Sequence, residues 1–173
     1  MIDCEGRVRA AVDGLNYDFG QFTISHFTTH VQAQRQREII LRDMSFDRGL
    51  HGFWIRAETA DYVFSNNDTH RTHQVHHILH ELGHIILAHQ PCDLSEYLSS
   101  ELIAQLQTSF ASNPHGHCRL WITHDTLEER EAECFVRRLR REIQRAGRLS
   151  ALTHPDTSIQ ELGRFTRGLG YDA

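Results

Sequence analysis

His80-Glu81-Leu82-Gly83-His84 is the stretch whose reading decides the fold. In a helix, residues four apart lie on one face, one turn above the other, so His80 and His84 present two imidazoles to one point. Glu81 follows the first of them and is directed to the same cleft, where its carboxylate can polarise a metal-bound water. The helix is predicted to run over residues 72–89, with Val75, Ile78, Leu79, Leu82, Ile85 and Ile86 forming an apolar stripe at i, i+3, i+4, i+7 spacing. Pro91 supplies its stop.

Fourteen histidines are many for this length, and they concentrate between His70 and His89. His76 and His80 are also four apart, but His77 stands where the water-activating Glu would be needed. His80 and His84 are therefore the expected metal ligands, with Glu81 as general base. His73, His76, His77 and His89 are expected to support the ligands from outside or to face solvent.

A catalytic zinc takes three protein ligands and keeps one position for water. The third is sought in Glu128-Glu129-Arg130-Glu131-Ala132-Glu133. This cluster opens a helix that starts at the capping box Asp125-Thr126-Leu127-Glu128 and is predicted to end near Ala146, with Gly147 as stop signal. Its apolar stripe is Ala132, Val136, Leu139 and Ile143. At 100° per residue, Glu129 lies within roughly 60° of the stripe centre and Glu131 is turned about 100° away. Glu128 has a capping role. First-turn carboxylates also suit a helix dipole without any metal; it is the neighbouring H-E-x-x-H that selects Glu129. Glu133, one turn on, can orient a ligand histidine.

Upstream, helices are predicted over 5–15 and 19–34. Strands follow over 37–44, 52–57 and 61–65, rich in aromatic and β-branched residues, the last two joined as an antiparallel hairpin. Downstream, residues 94–110 read as a helix, 119–123 as a short extended piece and 157–167 as a final helix. The expected architecture is α+β, with a small antiparallel sheet of about three strands packed on a bundle of about five helices. One domain is expected over 1–173: N-terminal helices in 1–35, the sheet in 36–66, metal-site helices in 70–146 and a C-terminal helix in 155–173.

Composition narrows the function. A 39% hydrophobic and 24% charged chain is globular in character, and a formal net charge of -5 argues against a general nucleic-acid binder. All 18 basic residues are Arg, the signature first of a GC-rich genome. Arg137, Arg138, Arg140, Arg141, Arg145 and Arg148 spread around their helix among Glu131, Glu133 and Glu142 and read as a solvated face. Cys4, Cys92, Cys118 and Cys134 form no C-x-x-C pair and are too sparse for a disulfide framework, so a reducing cytoplasm is expected. The acidic N-terminus resembles no secretory signal, and the longest apolar run, around 85–88, cannot span a bilayer.

His80 to Leu87, followed by Glu129-Arg130-Glu131-Ala132-Glu133-Cys134-Phe135, resembles the ImmA/IrrE family of metallopeptidases. That family carries H-E-L-G-H, then E-x-x-A-[ND]-x-F-A on a later helix. Glu133 and Val136 depart from the second pattern. The resemblance covers roughly residues 37–143 and implies a zincin-like fold, Zn2+ as cofactor and Glu129 as third ligand. It also implies cleavage of a peptide bond in a helix-turn-helix (XRE-type) repressor, in stress response or in mobile-element or toxin–antitoxin control. The contrasting expectation is a non-catalytic zinc-binding regulator of such a repressor. Tyr62, His117, His124 and several Arg are candidates for stabilising an oxyanion.

Overall fold

The computed structural model describes residues 4–45, 51–57, 59–89, 92–93, 121–122 and 126–153. Its architecture is α+β: α1 (Cys4–Gly14), a 3-10 turn (Phe19–Gln21), α2 (Ile24–Arg35), β1 (Glu38–Met44), β2 (Gly52–Arg56), β3 (Ala60–Asn66), α3 (Arg71–Ile86), β4 (Cys92–Asp93), β5 (Trp121–Ile122) and α4 (Thr126–Thr153). The helices expected over 94–110 and 157–167 lie outside the described residues, as does the capping residue Asp125. No described helix is long and apolar enough to cross a membrane.

The second predicted helix begins later than its spacing suggested. Asp18 accepts from Gly20 N–H and closes the 3-10 turn, and Thr23 then caps α2 by accepting from His26 N–H. The expectation of an all-antiparallel sheet is corrected. Strand order is β1-β3-β2, with β2 antiparallel and β1 parallel to β3. The short connection between β2 and β3 makes the predicted hairpin, closed by Ala57 N–H on Ala60 C=O at 2.9 Å. β1 instead reaches across to the far side of β3, leaving β3 central and buried along most of its length. β5 comes close to β2 but, among the described residues, pairs in a ladder with β4.

One carboxylate organises the end of the sheet. Asp61 is 0% exposed and receives Arg37 Nε at 3.0 Å, with Arg35 Nη2 at 3.6 Å and Arg56 Nε at 3.7 Å. A buried charge persists only when paired. Arg37 also donates to the carbonyls of Ala57 and Ala60, clamping the hairpin turn. Arg35 Nη1 donates to Ile85 C=O at 2.6 Å and so fastens α2 to the end of α3.

A single apolar cluster joins Val8 and Val12 of α1, Phe27 and Val31 of α2, and Ile39, Trp54 and Val63 of the sheet. Leu79, Leu82 and Ile85 of α3 meet Phe135, Val136, Leu139 and Ile143 of α4 in the same cluster. α3 and α4 pack closely where Gly83 leaves the α3 backbone bare. A Cβ on Gly83 would lie 3.0 Å from Phe135 Cδ1 and 3.5 Å from Ala132 Cα. α4 does not stop at Gly147 as its sequence suggested but continues to Thr153. An interior glycine costs about 1 kcal/mol of helix propensity, too little to end a helix otherwise supported by its neighbours.

Gly83→Val should lower stability by about 1–3 kcal/mol through overpacking against Phe135. Gly83→Ala should cost less, because about 1 kcal/mol of helix propensity is regained. Urea unfolding with an unchanged slope checks this; a valine variant as stable as the wild type would show that the crossing is not tight.

Candidate metal centre

α3 presents its histidines in the order its period dictates. His80 is half-buried, while His84, one turn on, is 2% exposed. Glu129, from the first turns of α4, reaches both of them. His80 Nε2 lies 3.0 Å from Glu129 Oε2, His84 Nε2 lies 3.4 Å from Glu129 Oε1, and the two Nε2 atoms are 3.1 Å apart. Ligand atoms of a tetrahedral zinc, each 2.0–2.1 Å from the metal, are separated by about 3.3 Å. Two imidazoles and a carboxylate at this spacing therefore fit such an ion. The electrostatics agree. Burial lowers the basicity of His80, but its hydrogen bond to Glu129 and the carboxylates of Glu81, Glu129 and Glu133 outweigh that and leave its pKa raised. A point that draws a proton is a point of negative potential, which a cation also needs. His84 is driven the other way by burial, with His80 and His89 adding to it, and its pKa falls to about 2. A neutral imidazole is the ligating form.

Glu81 is buried beside this triad, and burial pushes its carboxyl up to about 7, against the pull of His80. The strand above leaves it room: a Cβ at Gly52 would come within 3.8 Å of Glu81 Oε1, 3.4 Å of His77 Cβ and 3.0 Å of the Phe64 carbonyl oxygen. Tyr62, a candidate for oxyanion stabilisation, is opposite Ile55 in the ladder, whereas Gly52 and Trp54 alternate to the other face. It is on the side of the sheet away from Glu81. His117 and His124 lie outside the described residues.

Glu133 lies 3.3 Å from His76 Nε2 and 3.9 Å from His80 Nδ1. The hydrogen bond with His76 holds its pKa below the usual carboxylate value. His76, His80 and Glu133 form a second group close enough to share an ion, but its His80 atom is Nδ1, on the opposite edge of the ring from the first triad. Arg138 is held by Asp13 at 3.4 Å and Glu142 at 3.0 Å and is only partly exposed.

Helix phase turns Glu131 from the apolar stripe, and this is corrected: Glu131 is 0% exposed. His89, 1% exposed, takes the supporting rather than the solvent-facing of its two expected places, behind His84. His89 Nε2 lies 3.0 Å from Glu131 Oε2, and His89 Nδ1 lies 2.8 Å from His84 Nδ1. Arg7 of α1 completes the line, donating from Nη1 to Glu131 Oε2 at 2.5 Å and from Nη2 to Leu87 C=O at 2.6 Å. The signal for Glu131 was its spacing of four from Phe135 and eight from Leu139. For His89 it was less visible. α3 ends at Ile86, before Pro91, because Ala88 takes a left-handed conformation (φ 54°). Ala88 N–H then bonds Ile85 C=O and His89 N–H bonds His84 C=O at 3.0 Å, folding His89 back over the last turn.

His77 has a different environment. It stacks on His51 at 4.9 Å with rings 7° from parallel, and burial, joined by His76, His51, His80 and His73, drags its pKa from 6.5 to about 4. Such a group binds a proton in the unfolded chain before it does in the fold, so it lowers stability as pH falls from about 6.5 towards about 4. Between pH 7 and pH 5 the wild type should lose about 1–2 kcal/mol more than His77→Gln. Equal losses in urea unfolding at the two pH values would contradict this assignment.

Compared with family models, with curated proteins and with solved structures, the chain matches none.

Proposed function

We propose that this chain is a zinc-dependent endopeptidase of zincin-like fold, related to the ImmA/IrrE metallopeptidases. The observation that carries the reading is the convergence of His80 Nε2, His84 Nε2 and a Glu129 carboxylate oxygen within 4.8 Å, with Glu81 buried beside them. His80, His84 and Glu129 would hold the ion. Zinc, when bound, supplies a Lewis acid that polarises the scissile carbonyl and acidifies water.

The chain's own groups do the rest. Glu81 is the group placed to take a proton from water at its carboxylate and return it to the leaving amine. Its burial excludes competing solvent. Among the described residues β2 makes its ladder with β3 alone, with β5 near it, and Gly52 at its start adjoins Glu81 Oε1. An extended peptide lying along β2 would therefore pass the site by strand addition, with backbone hydrogen bonds giving affinity. A helix-turn-helix repressor is the substrate class implied by the resemblance, and a cytoplasmic location accords with it.

With zinc supplied and a panel of helix-turn-helix repressors as substrates, the wild type should cut at least one. Glu81→Gln should keep its zinc and lose about 10²–10⁴-fold in cleavage rate. Glu129→Ala should lose more than the roughly 10–100-fold in zinc affinity that removal of a supporting hydrogen bond causes. Cleavage unimpaired in Glu81→Gln would refute the peptidase reading. Zinc retained but no repressor cut by the wild type would favour a non-catalytic regulator instead.

A further inference from the structure

A histidine that ligates through Nε2 must carry its proton on Nδ1 and expose a bare Nε2. In the proposed centre, His84 can do so only if something accepts from its Nδ1. The acceptor at 2.8 Å is another ring nitrogen, His89 Nδ1, and either atom of that pair could be the donor. The ambiguity is removed two bonds away.

Arg7 has only donors, so Glu131 Oε2 accepts from it at 2.5 Å; the same oxygen lies 3.0 Å from His89 Nε2. A carboxylate oxygen cannot donate, so the proton between His89 and Glu131 is on Nε2 of His89. A singly protonated His89 then has its lone pair at Nδ1. With Nε2 directed at Glu131, Nδ1 of His89 is the atom left to accept from His84 Nδ1 at 2.8 Å.

We infer that Arg7, Glu131 and His89 form a positioning relay that fixes His84 as the Nδ1–H tautomer and leaves its Nε2 lone pair facing His80 and Glu129. The metal part of this inference rests on the zinc reading above; the tautomer does not. None of the three relay residues touches the reacting atoms. Their effect is carried through the orientation and protonation site of one ring, with α1 held to the centre across 124 residues of sequence by the Arg7–Glu131 bond.

Two measurements test it. In metal-free wild type labelled with 15N, a long-range 1H–15N correlation should show a protonated Nδ1 and an unprotonated Nε2 for His84. In the second, zinc affinity is read by competition with a chromogenic chelator. His89→Leu, which offers no acceptor, should weaken zinc binding about 10–100-fold. His89→Asn, whose amide oxygen can stand in for Nδ1, should restore it most of the way. A His84 ring protonated on Nε2 in the metal-free protein overturns the inference, and that spectrum needs no variant to fold. A folded His89→Leu protein that binds zinc as tightly as wild type also overturns it. Wild type that binds no zinc but shows the Nδ1–H tautomer would refute the metal reading and leave the relay standing.

Discussion

The close crossing of α3 and α4 at Gly83 and Ala132 is the constraint on which the candidate centre depends. Helix axes usually pack 8–10 Å apart according to the side chains between them. Here α3 contributes no side chain at Gly83, so the Phe135 ring and the Ala132 backbone of α4 both lie against it. Glu129 is short-limbed compared with this spacing. It spans to both His80 and His84 only because the helices approach at the crossing, one turn away from its own position. A larger residue at either point would separate the helices and draw the carboxylate back. The glycine of His80-Glu81-Leu82-Gly83-His84 is thus a packing residue for the second helix as much as part of the histidine-bearing one.

That approach brings three carboxylates of α4 onto three neighbourhoods of α3. Glu129 meets His80 and His84, Glu133 meets His76, and Glu131 meets His89 beyond the helix end. Glu131 is fully buried and is paired with Arg7 and His89, whereas the side chains of Glu129 and Glu133 are 41% and 42% exposed; together with Glu81, these two make the region around His80 negative. The same field raises the basicity of His80 while burial suppresses that of His84. The asymmetry has a simple cause: Glu129 bonds His80 directly, whereas His84 is the more deeply buried ring and faces His89 on its other side.

Periodicity made α1, α3, α4 and the three sheet strands legible, because each is an amphipathic or β-rich segment whose pattern is local. The pairing of β1 was not legible. A hairpin is dictated by the short link between β2 and β3, but the parallel partner of β1 is decided by what packs beneath the sheet. Gly147 misled for a related reason: a local stop signal of about 1 kcal/mol yields to continued helix. At the site, helix phase brought Glu129 forward as the residue facing His80 and His84. It misjudged Glu131, since α4 packs on α1 as well as α3 and its buried arc is wider than its apolar stripe. His89 needed the left-handed Ala88, a conformation that sequence announces only when glycine or asparagine stands there.

The line from the half-exposed Arg7 through buried Glu131 and His89 to His84 also bears on why a polar chain is kept where apolar residues would pack at no electrostatic cost. Replacing a buried ionic group by hydrophobic residues of similar volume is often neutral or favourable for stability. Leucine at 89 or methionine at 131 could fill the space. Neither could tell one nitrogen of His84 from the other. The ring is nearly symmetric in shape, so packing alone holds its plane and leaves its proton undetermined. Only a sequence of directional bonds ending in a group that cannot donate settles which nitrogen stays bare. On that view the relay is a specificity device anchored in the N-terminal helix, and the candidate centre is built by α1, α3 and α4 together rather than by α3 and α4 alone.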